Sequence, residues 1–243
     1  MSAVVIIPAR YASTRLPGKP LLAETGKPLI QHVVESIRAA RSIQRIVVAT
    51  DDQRIADAVA AFGGQALMTR PDHPCGTDRI QEAAAKLGLA DRDVVVNVQG
   101  DEPDMPPACV DKLVDLLEKS DAPMATLATP LSPDQADDPN KVKVALDSRG
   151  RAMYFSRSRI PFDRDNTGRV AYLLHLGIYA YRVAFLKAFA LLPPTPAEQA
   201  EKLEQLRALE HGYAIAVAVV DYSGRGIDTP ADYAAFVARA SRP

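Results

Sequence analysis

Apolar residues in the first half of the chain follow two alternating rhythms. Val4-Val5-Ile6-Ile7, Arg45 to Thr50 (RIVVAT), Gln65 to Met68 and Asp93 to Val98 (DVVVNV) are short runs rich in β-branched residues. Such runs predict strands, the longer ones buried on both faces. Between them the apolar positions recur at helical spacing: Leu29, Ile30, Val33, Val34 and Ile37, then Ile55, Ala56, Val59 and Phe62. A third helix is predicted over Ile80 to Leu87, capped by Thr77 or Asp78, and a fourth opens at Pro106-Pro107 with Val110, Leu113, Val114 and Leu117. Asp51-Asp52 caps the second helix and Gly63-Gly64 stops it.

The second half is patterned differently. Met124 to Thr129, Val142 to Asp147, Ala152 to Phe155 and His175 to Tyr181 (HLGIYAY) predict strands, several joined by short turns. Asp163 to Gly168 is a polar loop. Phe185 to Leu192 predicts a short helix ended by Pro193-Pro194. Thr195 and Glu198 have capping-box spacing, with helix continuing from Ala200 to Leu209. A strand over Ala214 to Val220 and a helix over Pro230 to Ala240 close the pattern. The expectation is an α/β fold: a mostly parallel central sheet, helices on both faces, and an inserted substrate lobe. One domain spans 1–243, with a first half over about 1–120 and a second half over about 121–243.

Composition narrows the classes. Lys and Arg number 29 against 30 Asp and Glu, a net charge of −1 that argues against a nucleic-acid binder. The longest apolar runs are far too short to cross a bilayer, and the opening residues lack a signal peptide's basic flank. Cys75 and Cys109 make no disulfide framework and read as free thiols in a reducing cytoplasm.

Ligands of such sheets sit beyond the carboxyl ends of the strands. That rule places PARYASTR, ATDD and VQGDEP on one edge. The loop after the first strand carries Arg10, Arg15 and Lys19, with Thr14 and Gly18. Cations at that position suit a dense anion such as a triphosphate. No G-x-x-x-x-G-K-[ST] and no G-x-G-x-x-G follows the strand, which excludes P-loop and dinucleotide-binding readings. Asp101, leaving a buried strand in Gln99-Gly100-Asp101-Glu102-Pro103, suits Mg²⁺, and Asp228 is its candidate partner ligand. Cys75-Gly76-Thr77-Asp78-Arg79 is a turn feeding a helix N-terminus. Ser156 and Ser158 lie near His175 in order, yet no G-x-S-x-G is present. Arg157, Arg159, His175, Tyr179, Glu204 and Gln205 form a polar set able to read a polyhydroxylated acid.

The segments IIPARYASTRLPGKPL, VATDD, CGTDRI, VNVQGDEP, YFSRSRIPFDRD, HLGIYAY, LEQLRALEHG and GIDTPAD occur in this order along nearly the whole chain. In them the sequence resembles the 3-deoxy-manno-octulosonate (KDO) cytidylyltransferases, or CMP-KDO synthetases. The resemblance implies a nucleotide-diphospho-sugar transferase-like fold and a CTP-dependent transfer. The anomeric hydroxyl of KDO would attack the α-phosphorus of CTP, giving CMP-KDO and pyrophosphate for lipopolysaccharide synthesis. It implies Arg10, Arg15 and Lys19 at the triphosphate, with Pro8 and Ala9 beside them. Gln99, the Gly76-Thr77 turn and Arg79 would serve the nucleotide. Asp101 and Asp228 would hold Mg²⁺, and Arg157, His175, Tyr179, Glu204 and Gln205 the sugar. A cytoplasmic homodimer follows from the same resemblance, with the dimer surface in the second half.

Three positions depart from the family's pattern. Leu174 stands where arginine is frequent, Phe162 where tryptophan is, and Asp78 where glutamate is. The competing readings are a cytidylyltransferase for sialic acid or 8-amino-KDO, a nucleotide-sugar-binding glycosyltransferase, and an inactive regulatory binder. Asp101-Glu102-Pro103 lacks the glycosyltransferase D-x-D. An inactive binder would be expected to lose Arg15, Lys19, Asp101 or Asp228, all present. The 10–19 loop and the 163–168 loop, both polar and beside the proposed site, are the expected moving parts.

Overall fold

The computed structural model describes residues 3–12, 16–73, 75–222, 224 and 226–240. Strand β1 (Ala3–Ala9) is flanked by β2 (Arg45–Thr50) and β4 (Val94–Asn97), with β3 (Ala66–Met68) beyond β2. All of these pairings are parallel. Val5 and Ile7 of β1 enter one apolar cluster, and Val4 and Ile6 the other. The unbroken apolar run is thus explained by burial on both faces.

The sheet continues in the order β8-β5-β9. Here β5 is Met124–Leu131, β8 is Tyr172–Arg182 and β9 is Ile215–Val219. β8 runs antiparallel to both β4 and β5, whereas β5 and β9 are parallel. The sheet is therefore mixed, with one reversed strand in an otherwise parallel path. A hairpin of β6 (Lys143–Leu146) and β7 (Ala152–Ser156) joins through Lys143 opposite Leu174. This hairpin lies off the main strand path.

Helices cover both faces. α1 (Leu29–Ile37), α2 (Gln53–Ala61) and α4 (Pro107–Lys119) lie on one side. On the other are α3 (Gly76–Lys86), α5 (Val183–Phe189), α6 (Pro196–Glu201) and α7 (Gln205–Glu210). α8 (Pro230–Ala240) packs Tyr233 and Phe236 with Leu16, Leu29 and Ile227 in a smaller cluster. That packing folds the end of the chain back onto the opening loop.

Two local expectations need correction. α3 begins at Gly76 with Cys75 at the N-cap, so Thr77 and Asp78 sit inside its first turn. The Thr77 hydroxyl is committed elsewhere, to Glu204, and does not cap. The helix expected over 200–209 is broken. Lys202 adopts the left-handed conformation (φ 55°, ψ 45°), ending α6 before α7 starts at Gln205. No glycine announces this stop, which is why periodicity alone passes over it.

Candidate active site

β1 and β4 deliver their loops to the same sheet edge. Gly100 allows this close approach, because a Cβ there would stand 3.0 Å from the Pro8 carbonyl oxygen. Asp101 follows directly. Gly18 turns the opening loop in the left-handed region (φ 67°), its amide donating to the Tyr11 carbonyl at 3.1 Å. That turn aims Lys19 inward. The Lys19 Nζ lies 2.7 Å from Asp101 Oδ2 and 3.6 Å from Asp228 Oδ1, and donates to the Ile227 carbonyl at 2.8 Å. The Ile227 amide donates to the Asp101 carbonyl at 2.9 Å. Residues far apart in sequence thus converge as one ammonium between two carboxylates.

This donor set fits a hard divalent cation. Mg²⁺ takes one or two carboxylates and completes its octahedron with water and substrate phosphates. Among the described residues no cluster of three or more metal-ligating side chains forms. Beside Asp101, burial pushes the Glu102 carboxyl up to about 7, with the Asp101 charge adding to it. The Tyr222 hydroxyl donates to Glu102 at 3.3 Å.

A cavity of about 300 Å³ takes part of its wall from Gln99, two residues before Asp101 in the chain, and the rest from Gly177, Tyr179, Tyr181, Glu204 and Gln205, with Met124 and Phe189. A register shift between Thr126 and Leu127 makes β8 bulge at 177–178, and the Thr126 hydroxyl donates to the Leu176 and Ile178 carbonyls there. The bulge re-aims the strand toward Gln99. Gln205 is 6% exposed, and its amide nitrogen has no protein partner. A buried donor of this kind at a cavity wall calls for a polar ligand.

The other anticipated residues divide by their partners. Arg10 is exposed at the end of β1, Pro8 and Ala9 lie on the strand itself, and Thr14 and Arg15 fall outside the described residues. Gly76 faces Pro8 across a contact of 3.6 Å for a Cβ placed there. Arg79 is buried and clamps the edge from below, donating to Asp51 and Thr69. Arg157 donates through its guanidinium to the Glu201 and Pro139 carbonyls, tying β7 to α6. Arg159 stands apart, over the Tyr172 ring. His175 stacks edge-on against Phe155 and sits 5.4 Å from Tyr179. Burial among these rings pushes its imidazole down to about 3, so it is neutral at physiological pH.

Sequence reasoning missed Tyr181 and Asn97. Tyr181 lines the cavity, and burial raises its phenol well above the usual range. Asn97 is 2% exposed with an unpartnered side-chain carbonyl. Both could have been found by the two-residue period of a strand, which puts Tyr181 on the face of Tyr179 and Asn97 on the face of Gln99.

A cytidylyltransferase family profile matches residues 4–215. The chain belongs to the cytidylyltransferase family. It is 54% identical over 240 residues to the 3-deoxy-manno-octulosonate cytidylyltransferase of Syntrophobacter fumaroxidans, covering 98% of this chain and 96% of that one. It is 49% identical to the 8-amino-3,8-dideoxy-manno-octulosonate cytidylyltransferase of Shewanella sediminis, covering 96% of each. A solved CMP:2-keto-3-deoxy-manno-octonic acid synthetase complexed with CTP superposes with a TM-score of 0.94, at 46% identity and 98% coverage of both chains. The nucleotide-diphospho-sugar transferase-like fold anticipated above is the fold of that neighbour. No helix among the described residues is long and apolar enough to cross a membrane.

Proposed function

We propose that this cytidylyltransferase transfers CMP from CTP to KDO, releasing pyrophosphate, and that it does so with Mg²⁺. The observation that carries the reading is the convergence of Lys19, Asp101 and Asp228 beside a cavity walled by Gln99, Glu204 and Gln205. A charged cluster for a triphosphate thus adjoins a polar chamber for a hydroxylated acid. The names of the relatives supply the identity of both substrates.

In this reading Arg10, Arg15 and Lys19 neutralise the triphosphate, while Pro8, Ala9, Gln99 and the Gly76-Thr77 turn, braced by Arg79, receive the nucleotide. Asp101 and Asp228 hold Mg²⁺, which supplies charge neutralisation and lowers the pKa of a hydroxyl bound to it. Arg157, His175, Tyr179, Glu204 and Gln205 serve the sugar side, Arg157 through the wall it braces and neutral His175 by hydrogen bonding. Transfer of this kind needs in-line positioning and neutralised charge, with no covalent nucleophile. The enzyme acts in the cytoplasm as a homodimer and feeds lipopolysaccharide synthesis.

Pyrophosphate release from CTP and Mg²⁺ is measured with KDO, 8-amino-KDO, sialic acid or no sugar, and the CMP-sugar is identified by mass. Release with KDO is expected. The Shewanella relatives motivate the 8-amino-KDO arm, and preference for that sugar would replace the KDO assignment. Release with none of the sugars would overturn the reading.

A further inference from the structure

The Glu204 carboxylate reaches across the cavity wall to α3. It accepts from the Thr77 hydroxyl at 2.9 Å and from the Cys75 thiol at 2.8 Å, and so bridges the start of α7 to the N-terminal turn of α3. Both donors stand in the turn assigned above to the nucleotide, and the acceptor lines the chamber assigned to the sugar. Next to Glu204 on the same wall is the unpartnered, buried amide of Gln205. Adjacent side chains, one held by protein and one left open, are what a ligand-reading pair requires.

We propose that Cys75 and Thr77 are positioning residues for the sugar subsite, fixing the Glu204 carboxylate so that its remaining lone pairs and the Gln205 amide face the sugar hydroxyls. The proposal rests on the sugar-site reading of the cavity. Burial with Glu204 alongside raises the Cys75 thiol far above its usual range, so it stays a protonated donor. It is no nucleophile. Burial also raises the Glu204 carboxyl, and the Cys75 and Thr77 hydrogen bonds work against that rise. The charged and titratable groups facing Glu204 are Cys75 and Asp78 on α3, Arg207 on α7, and Tyr179 and Tyr181 on β8. Removing either donor leaves the carboxylate harder to ionise. The acid limb of kcat/KM for KDO then moves to higher pH.

The test uses Cys75→Ala, Cys75→Ser, Thr77→Val, Thr77→Ser and Glu204→Gln in the full-length protein, each first checked by thermal unfolding. A hydrogen bond to a charged group lost from Thr77→Val raises the KM for KDO about tenfold, and the weaker thiol donor of Cys75 about threefold. The serine variants keep a donor and restore the wild-type KM. The acid limb shifts upward in Cys75→Ala and Thr77→Val. Combined with Glu204→Gln, Cys75→Ala adds nothing further, because the partner is already altered. An unchanged KM and acid limb in Cys75→Ala and Thr77→Val, with a raised KM in Glu204→Gln, overturns the positioning role alone. An unchanged KM in Glu204→Gln overturns the sugar-site reading with it.

Discussion

Lys19 sits where a divalent cation would have to enter, and its removal tests that geometry. Its ammonium is 2.7 Å from Asp101 and 3.6 Å from Asp228, and only 14% of the Lys19 side chain is exposed. A charge-assisted hydrogen bond of this sort contributes about 1.5–3 kcal/mol net. A metal binding between the carboxylates without CTP must break that bond, and it must also approach a like charge. Both effects oppose it. When CTP binds, the triphosphate offers the ammonium new acceptors, so the displacement costs far less. Lys19→Met keeps the aliphatic stem and removes the charge. The variant is therefore expected to bind Mn²⁺, as a probe for Mg²⁺, about ten- to a hundredfold more tightly than wild type without CTP. Its turnover falls, since the triphosphate loses a cation. Mn²⁺ affinity is read from the electron paramagnetic resonance of the free aquo ion during titration, independently of catalysis. Equal or weaker Mn²⁺ binding by Lys19→Met would refute the reasoning, because nothing would then be competing for the carboxylates.

Asp228→Asn should raise the Mg²⁺ concentration needed for half-maximal turnover, and normal turnover at limiting Mg²⁺ would remove Asp228 from the ligand set. His175, with its imidazole pushed down to about 3, is neutral in the folded state and more basic in the unfolded one. Its contribution to stability is full above about pH 6.5 and is lost as pH falls toward 3, at up to about 1.4 kcal/mol per pH unit. Urea melts from pH 8 to 4 should show a shallower loss for His175→Phe than for wild type; parallel curves would show that this histidine does not titrate on unfolding. Lys202 is exposed in the left-handed region, where a side chain costs about 1–2 kcal/mol. After the entropy that glycine adds to the unfolded chain, Lys202→Gly should gain about 0.5 kcal/mol, or 1–2 °C in Tm. A fall in Tm would place the cost of the break elsewhere.

The framework was legible because its signals are local. β2 occupies Arg45–Thr50 and α8 Pro230–Ala240, both as the apolar pattern and flanking residues predict. Asp52 caps α2 through the Arg54 amide, again as expected. The misses come from partners distant in sequence or from a backbone conformation that the residue type does not announce. Cys75 is a poor N-cap by type, and Thr77 looked like the better one until Glu204, 127 residues away, engaged its hydroxyl. The α6–α7 break rests on a lysine in a glycine's conformation, which no propensity scale anticipates. Asp101 and Asp228 were recognisable as candidate metal ligands. That Lys19 stands between them was not, since a loop cation aimed at phosphate and one aimed at carboxylates look alike in one dimension.

The reversed strand lets a rule for parallel sheets point to a candidate site in a mixed one. β4 carries Gln99 and Asp101 just beyond its carboxyl end. β8 runs the other way, pairing Arg182 with Val94 at the start of β4 and Tyr179 with Asn97 at its end. The first half of β8 therefore reaches the carboxyl edge, and it brings His175, the 177–178 bulge and Tyr179 with it. Were β8 parallel to β4, those residues would lie at the opposite edge, more than a strand's length from Asp101. The antiparallel strand thus lets the second half of the chain line a chamber together with Gln99 of the first, while Asp228 of the second half meets Lys19 and Asp101 of the first. The two halves meet through the β4–β8 ladder, through the bonds from Thr77 and Cys75 to Glu204, and through Lys19 and Asp101 with Ile227 and Asp228. The ladder is buried, with Val94, Val96, Ile178 and Ala180 in one apolar cluster and Val95, Tyr179 and Tyr181 in the other, whereas Glu204, which accepts from Thr77, lines the cavity. A change that loosens the Thr77–Glu204 bond therefore acts on the fit between the two substrates before it unfolds the sheet.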